Sequence, residues 1–346
     1  MSLEAYVSLA LTPGVGPVRC GALLQKFGTP EAALASMPRA NPSSGEKIVR
    51  EIAELGGAVL VPEDERFPPA LREIPDAPLL LFALGRLELL QRRAVAVIGS
   101  RSHTRYGAEV WRHFAGGLAR AGLVVVSGMA RGLDAIAHTA ALDAGGATVG
   151  VLGNGFGIIY PVINRALYER VAHDGCLLTE MPPGEKPHPG SFPRRNRLIS
   201  GLARVTLVVE ARARSGALLT ANWAVDQGRE VLAVPGPITS PVSVGCNRLI
   251  QPGAKPALGL RDVLEEYRIA VPGVPGAALP TDLMPEERGV LDALGEGEQQ
   301  FDDIAARLGS PSGDTLAVLT SLEIRGLIVQ EPGKVFRRRS DLNTAT

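Results

Sequence analysis

Glycine and arginine recur together in loops that follow short apolar runs of this sequence. Gly99-Ser100-Arg101 forms one such loop, and Ser127-Gly128 with Arg131-Gly132 forms the next. Glycine lets a backbone approach a ligand closely, and the guanidinium of arginine forms paired hydrogen bonds with phosphate oxygens. The sequence therefore predicts an anion-binding site built from several loops. Its candidate residues are Gly99, Ser100, Arg101, Ser127, Gly128, Arg131, Gly132, Gly153, Arg194, Arg195, Asn196, Arg197, Ser215, Gly216 and Thr220.

Six short apolar runs must supply the strands that position these loops. They lie at residues 94–98, 124–126, 148–152, 176–178, 206–209 and 230–234. Continuous apolar runs of this length are typical of strands buried on both faces of a parallel sheet, and helical stretches separate them here. The alternation predicts an α/β fold, a Rossmann-like doubly wound and mostly parallel sheet. Ligands bind such sheets beyond the carboxyl ends of the strands, so we expect the loops and the following helix N-termini to meet there.

Two helical regions flank the predicted sheet. Residues 1–57 predict a small helical domain, in which residues 11–17 have the form of a helix-hairpin-helix turn or of a plain helix–helix turn. Residues 283–338 show three helical patterns and a β-hairpin, the order of a winged-helix domain, after a Pro/Gly-rich linker at 269–282. The extended Rossmann-like domain covers residues 58–268 and begins with two extra apolar runs that predict added strands.

Charge is segregated along a chain whose formal net charge is zero. Residues 186–214 carry seven basic side chains against Glu210, and residues 91–120 carry six arginines against Glu109. Eight acidic residues and one arginine gather instead at residues 282–303. A basic cluster that coincides with glycine-rich loops favours a polyanion-binding face over an ordinary solvated surface.

Several site classes find no support in the sequence. The three cysteines, Cys20, Cys176 and Cys246, are far apart, which predicts neither a zinc site nor a disulfide framework. The Gly-Ser-Arg loop is not a G-x-G-x-x-G fingerprint, and no Walker lysine loop occurs, so we expect no cofactor. We also expect a cytoplasmic protein that does not enter a membrane, because no apolar stretch is long enough and no leader pattern opens the sequence.

A series of segments between residues 90 and 256 forms a more specific pattern. The segments are VIGSR at 97–101, SGMARGLD at 127–134, IYP at 159–161 with Asn164, TEMPPG at 179–184, FPRRNRLI at 192–199, EA at 210–211 with SGALLTA at 215–221, AVPG at 233–236, and GCNRLI at 245–250 with Gly253-Ala254. Together they resemble the DprA/Smf family of bacterial DNA-processing proteins. Because they agree in order over most of a domain, they are more specific than any single glycine loop.

The resemblance implies a protein that binds incoming single-stranded DNA during natural transformation and helps to load the RecA recombinase onto it. It maps the basic pocket of the family onto Gly99 to Arg101, the Arg131 loop and residues 194–197. It also implies a homodimer, here joined through Asn247, Leu249, Ile250 and Ala254. Some relatives place a lysine just before the Gly-Ser-Phe step, where this chain has His188-Pro189. That cation is either missing or supplied by Arg194 or Arg195.

Binding of phosphates is expected to dominate over binding of bases. Single-strand binders often stack bases on aromatic rings, yet only 4% of this chain is aromatic. We therefore expect weak sequence selectivity and a strong dependence on salt.

Two other functions stay open at this point. The first is a nucleotide phosphoribohydrolase on the same fold. The loop at 215–221 lacks the glutamate of those enzymes, although Glu180 and Glu210 both follow strands, and His138 is expected to be a packed or surface residue rather than a base. The sequence therefore favours a binding protein over an enzyme.

The second is a protein that binds duplex DNA through the winged helix. The expected recognition helix, residues 312–326, offers Asp314, Glu323 and a single Arg325, whereas contacts to base edges normally need several cations or amides. A structural or protein-contact role is favoured. Weak contact with duplex DNA stays open through residues 337–339.

Overall fold

The computed structural model describes residues 2–37, 41, 43–100, 102–269, 283–295, 297–325, 327–331 and 333–338. The chain divides into two compact units, residues 1–270 and 271–346. Apart from Ile269, the predicted linker at 269–282 lies outside the described residues.

The first unit opens with a group of short helices. They are α1 (Leu3–Ala10), α2 (Pro17–Phe27), α3 (Pro30–Ala35) and α4 (Ser43–Glu54). Gly14 has a φ of 82°, so glycine suits the turn between α1 and α2. Val7 and Ile52 pack in one core cluster with Val59 and Phe82 of the first two strands. The predicted boundary at residues 57 and 58 therefore falls within one compact unit.

Nine strands of the described residues form one sheet, in the order β1-β2-β6-β5-β4-β3-β7-β8-β9. They are β1 (Gly57–Leu60), β2 (Leu81–Gly85), β3 (Ala94–Ile98), β4 (Val124–Ser127), β5 (Ala147–Val151), β6 (Cys176–Thr179), β7 (Val205–Val208), β8 (Glu230–Ala233) and β9 (Lys255–Pro256). Strands β3 to β9 pair in parallel, whereas β2 is antiparallel to both β1 and β6. The predicted mostly parallel sheet and its two extra strands are confirmed.

The remaining helices of the first unit connect these strands. They are α5 (Pro69–Arg72), α6 (Arg105–Arg120), α7 (Leu133–Asp143), α8 (Arg165–Asp174), α9 (Ser191–Gly201), α10 (Gly216–Asp226), α11 (Val244–Ile250) and α12 (Leu260–Glu266), with 3₁₀ turns at Leu87–Gln91 and Val162–Asn164. Every residue of β3, β4 and β5 is buried, as continuous apolar strands covered on both faces should be. The sheet is therefore a rigid support for the loops at its edge.

The second unit has the winged-helix order that the sequence predicts. Its elements are α13 (Pro285–Leu294), β10 (Gln299–Gln300), α14 (Phe301–Leu308), α15 (Ser312–Ile324), β11 (Ile328–Glu331) and β12 (Val335–Arg338). The strands form an antiparallel sheet in the order β10-β12-β11 around a core that includes Leu291, Leu319 and Phe336. The two-residue β10 is an addition to the predicted elements.

None of the helices in the described ranges is both long and apolar enough to cross a membrane.

Candidate nucleic-acid interface

The strand order places a crevice beside the central strand of the sheet. From β3 the chain adds β4, β5 and β6 on one side and then returns to add β7, β8 and β9 on the other. Loops that leave β3 and β7 therefore diverge, which is where doubly wound sheets bind ligands. The gap holds a cleft of about 470 Å³, named here the switch-point cleft. Its lining includes Gly99, Ser100, Arg195, Asn196, Arg212, Arg214, Ser215, Gly216 and Thr220.

A second cleft of about 640 Å³ lies over the carboxyl ends of β4 and β5 and is named here the β4–β5 cleft. Its lining includes Gly128, Ala130, Arg131, Gly153, Asn154, Tyr160, Ile163, Phe192 and Arg195. Both clefts share Ser102, Ala130, Phe192 and Arg195, so they are neighbours on one edge of the sheet. Most of the predicted loops are thus brought together.

Phe192 is the aromatic residue that lines both clefts. Its ring centroid lies 5.6 Å from that of Tyr160, with the planes tilted by 38°. A Cβ at Gly153 would lie 3.0 Å from the Phe192 ring, so glycine leaves room for this placement. The sequence analysis predicted few aromatic contacts and named neither ring as a binding residue. Phe192 could have been found from its place in the FPRRNRLI segment, beside the candidate residues 194–197.

Arg195 lies beneath the two clefts and is 5% exposed. Its Nη1 donates to the carbonyl oxygens of Gly128 and Val151, at the ends of β4 and β5. A Cβ at Gly128 would lie 2.6 Å from the guanidinium, which explains the glycine. Arg195 therefore ties two strand ends together as well as lining both clefts.

The neighbouring arginines of α9 lie elsewhere. Arg197 has a 3% exposed side chain, and its guanidinium lies 2.6 Å from Oε1 of Glu180 and 2.9 Å from Oδ2 of Asp76. Arg194 has a 60% exposed side chain with Nε 3.7 Å from Oε2 of Glu180, and it lines a separate cavity beside the N-terminal helices. Neither lines the switch-point cleft or the β4–β5 cleft, and the Arg197 guanidinium is engaged by two carboxylates.

Other predicted residues support the site from below or lie outside the description. Ser127 is buried and donates its hydroxyl to the Val97 carbonyl at 2.7 Å. Gly132 takes a φ of 82° before α7, and neither residue lines a cleft. Arg101 lies outside the described residues. Arg131 is exposed on the rim of the β4–β5 cleft.

The switch-point cleft also contains features suited to an anion. The N-terminus of α10 opens there, and Ser215 Oγ accepts a hydrogen bond from the Ala217 N–H at 3.2 Å. Arg212 and Arg214 are exposed and line the same cleft. Helix N-termini and arginines attract phosphate through N–H groups and positive charge. Arg212 and Arg214 were counted in the charge pattern but were not among the predicted contacts.

The two glutamates that follow strands are engaged in the fold. Glu180 has a 6% exposed side chain paired with Arg197; burial raises the pKa of its carboxyl, and the charge of Arg197 opposes that shift. Glu210 is buried and accepts hydrogen bonds from the N–H of Thr104, at 3.0 Å, and from its hydroxyl. Neither glutamate lines the switch-point cleft or the β4–β5 cleft, which argues against the phosphoribohydrolase alternative.

His138 is a packed residue, as expected. It is fully buried, with Nδ1 2.7 Å from the hydroxyl of Thr148, which itself donates to the Val125 carbonyl. Nδ1 must therefore carry the proton. Burial, with a smaller effect of the Arg195 charge, lowers the pKa of His138 to about 3. The imidazole is neutral at pH 7 and holds α7 against the sheet.

The predicted dimer residues lie around α11. Asn247 exchanges two hydrogen bonds with the backbone of Gly236, and Leu249, Ile250 and Ala254 pack half-buried against the main core. Ile238 and Leu258, which follow the adjacent strands β8 and β9, are 91% and 78% exposed. The same part of the unit thus presents exposed apolar side chains.

In the second unit, α15 is poorly suited to contact base edges. Its buried face includes Leu319 and Leu322, while Leu316 and Ile324 are exposed on the other side. Arg325, the one basic residue of the predicted recognition segment, lies 2.7 Å from Glu287.

The basic end of the chain is also partly engaged. Arg337 pairs with Glu331 at 3.1 Å, and Arg338 donates to the Leu291 carbonyl, while Arg339 lies outside the described residues. Among the described residues, no group of three or more His, Cys, Asp or Glu side chains is placed to hold a metal ion.

The fold defines a Rossmann-like α/β protein with two clefts at one edge of the sheet, an N-terminal helical region and a winged helix. The family model described as DNA recombination-mediator protein A matches residues 58–268. Models described as DprA winged helix domain and DprA-like N-terminal HHH domain match residues 274–334 and 5–55. The chain therefore belongs to the DprA/Smf family of DNA-processing proteins.

Curated relatives agree with this assignment. The chain is 42% identical over 300 residues to a putative DNA processing protein DprA of Mycobacterium tuberculosis, which covers 81% of this chain and 76% of the relative. It is 34% identical over 396 residues to protein Smf of Synechocystis sp., with 98% and 99% of the two chains covered.

Solved structures extend the likeness to three dimensions. The DNA processing protein A of Streptococcus pneumoniae superposes with a TM-score of 0.69 at 35% identity, covering 77% of this chain and 99% of that one. The DNA processing protein A of Helicobacter pylori, whose structure is described in terms of its single-stranded DNA binding mode, gives a TM-score of 0.56 at 29% identity, covering 61% and 95%.

Proposed function

We propose that this chain binds and protects single-stranded DNA along the two neighbouring clefts and delivers it to the RecA recombinase during natural transformation. The observation that supports this most strongly is the pair of neighbouring clefts on one sheet edge, which share Phe192 in their lining and are bordered by exposed arginines. A single small cleft would suit one phosphate or one nucleotide, whereas two adjoining clefts suit consecutive nucleotides of a strand.

The side chains that line the clefts suggest separate contacts for the phosphates and for the bases of a strand. In the proposed mode, phosphate oxygens contact Arg131, Arg212, Arg214 and the N-terminus of α10, which all border the two clefts. Phe192 offers a ring face on which a base can stack, as single-strand binders commonly do. Ser127 and Arg197 are left out of the proposed contacts, because both are turned into the fold.

A salt series with single-stranded and duplex DNA tests this proposal on the full chain. Fluorescence anisotropy with a labelled oligothymidine should give tighter binding than with a duplex of equal length. With three to four phosphate contacts, the slope of log K against log salt should be roughly −2 to −3 for the single strand. Equal affinity for the two DNA forms, or a slope near zero, would contradict the proposal.

We further propose a binding protein rather than an enzyme, acting on DNA in the cytoplasm. Support comes from the burial of Glu180 and His138 and from the hydrogen bonds that engage Glu210. Incubation with nucleoside monophosphates should release no free base. Release that depends on either glutamate would favour the phosphoribohydrolase instead.

The homodimer belongs to the proposal as well. We assign it to the surface around α11, where Ile238 and Leu258 expose apolar side chains beside the half-buried Leu249 and Ile250. Light scattering should give twice the monomer mass, and Ile238→Glu should shift it towards one copy. A monomer at micromolar concentration would contradict this assignment.

A further inference from the structure

Asn164 precedes α8, in a position where an asparagine side chain ordinarily caps the N-terminus of the helix. It is the N-cap residue of α8, and asparagine there usually accepts a hydrogen bond from the first turn. The Asn164 side chain makes no such bond. Instead its Nδ2 donates to the carbonyl oxygens of Met129 and Ala130, at 3.0 and 3.2 Å. The amide therefore serves a different loop, the one that follows β4.

The backbone held by this amide is in an unusual conformation. Met129 has a φ of 55°, in the left-handed region that side chains other than glycine seldom adopt. The next residue is also held, because the Ala130 N–H donates to Oδ2 of Asp134 at 3.3 Å. One residue earlier, the Gly128 carbonyl accepts from Arg195. Side chains from three helices or helix ends thus hold residues 128–130.

The residue that follows this fixed stretch is Arg131, exposed on the rim of the β4–β5 cleft. A cation that is placed before its ligand arrives loses less conformational freedom on binding. We infer that Asn164 is a positioning residue that sets the Arg131 loop for a phosphate of the bound strand. The inference rests on the proposed function and adds a residue that does not touch the DNA.

A double-mutant cycle in the full chain tests the inference through anisotropy with oligothymidine. Arg131→Ala should weaken binding about tenfold, the loss of one charge-assisted hydrogen bond. It should also reduce the salt slope by about 0.7, the value for one phosphate of a single strand. Asn164→Ala should do the same on both measures. Because both act on one contact, the double variant should stay within about twofold of Arg131→Ala.

Two controls separate positioning from general destabilisation. Gln91→Ala removes another amide whose Nε2 donates to a backbone carbonyl, that of Phe67 at 3.2 Å. Gln91 precedes the amino end of β3, whereas the clefts lie at the carboxyl ends of the strands. The substitution should leave affinity and slope unchanged. Asn164→Asp keeps the shape but turns an acceptor towards two carbonyls, so it should weaken binding at least as much as Asn164→Ala. Urea unfolding midpoints show whether each variant is folded at the assay temperature.

The outcomes divide cleanly. If the effects of Asn164→Ala and Arg131→Ala multiply to about a hundredfold, or if Asn164→Ala leaves the salt slope unchanged, the positioning role is overturned while the proposed function stands. If the wild-type chain binds single strands and Arg131→Ala has no effect, the inference also fails and the function stands. Absence of single-strand binding by the wild type overturns both.

Discussion

Arg197→Ala should destabilise the first unit strongly, because it leaves a buried carboxylate without its main partner. The Arg197 guanidinium lies 2.6 Å from Oε1 of Glu180, and both side chains are less than one-tenth exposed. Deleting one member of a buried ion pair costs about 3–5 kcal/mol. Arg194, 3.7 Å from the other carboxylate oxygen, remains as a weaker partner. We therefore expect the lower part of that range, roughly 3 kcal/mol.

Removing both charges should reverse most of this loss. Arg197→Met combined with Glu180→Leu replaces the pair by apolar side chains of similar volume, which is often nearly neutral, so we expect a deficit within about 1–2 kcal/mol of the wild type. Urea unfolding followed by tryptophan fluorescence measures it. Trp111 and Trp223, the two tryptophans of the chain, both lie in the first unit and therefore report on the unit that contains the pair.

The pH dependence of the loss provides a second check. Burial raises the folded-state pKa of Glu180 above its usual value of 4.5. The contribution of Glu180 to the free energy of unfolding is therefore fully present below pH 4.5, and it is lost as the pH rises through the folded-state pKa. Arg197→Ala removes the charge that opposes this shift and raises the folded pKa further. The stability gap between Arg197→Ala and the wild type should therefore be larger at pH 8 than at pH 5.

Two results would refute this reasoning. A loss below about 1 kcal/mol at pH 7, or a gap that does not change with pH, would show that the pair is not a buried and charged one. The double variant also tests the functional assignment, since it should bind oligothymidine as the wild type does. If the double variant is well folded but binds oligothymidine tenfold more weakly, Arg197 contacts the DNA after all, as the sequence predicted.

Three further substitutions test other parts of the structure. Phe192→Ala should weaken single-strand binding by about 1–3 kcal/mol through lost stacking, measured by anisotropy, and unchanged affinity would exclude the ring as a stacking surface. Gly128→Ala places a Cβ 2.6 Å from the Arg195 guanidinium, so it should lower both the melting temperature and the affinity for oligothymidine; a variant equal to the wild type in both would contradict the close packing. Leu316→Ser lies on the exposed face of α15 and should change the free energy of unfolding by no more than about 0.5 kcal/mol relative to the wild type. It should also leave duplex affinity unchanged. A tenfold loss of duplex binding in a gel shift would instead identify α15 as a DNA-contacting helix.

The sheet was largely predictable because strands that are buried on both faces consist of continuous apolar residues. The runs at 94–98 and 230–234 are continuous and apolar, and they match β3 and β8 to within a residue. Strands that lack a continuous apolar run could not be predicted from the sequence. β9 is two residues long and includes Pro256, and β10 consists of Gln299 and Gln300. Their pairing depends on the neighbouring strand rather than on their own side chains.

The individual roles of the arginines were less predictable for a geometric reason. Residues 194–197 lie in consecutive positions of α9, and a helix turns by about 100° per residue, so neighbouring side chains point in different directions. Arg195 points beneath the clefts, whereas Arg197 meets Glu180 from the end of β6. A basic segment in the sequence carries no information about these partners, because they come from distant parts of the chain.

Aromatic content and aromatic placement answer different questions about DNA binding. The low overall content predicts that phosphate contacts are the more numerous, and the exposed Arg131, Arg212 and Arg214 line the two clefts where we propose those contacts. Phosphates, however, are present in single strands and in duplexes alike, so these arginines cannot provide a preference for one form. A ring face needs a base that is free of its neighbours and of a pairing partner, which a single strand offers at little cost. In the proposed mode, affinity therefore comes mainly from the arginines, whereas the preference for single strands comes from Phe192, which lines both clefts.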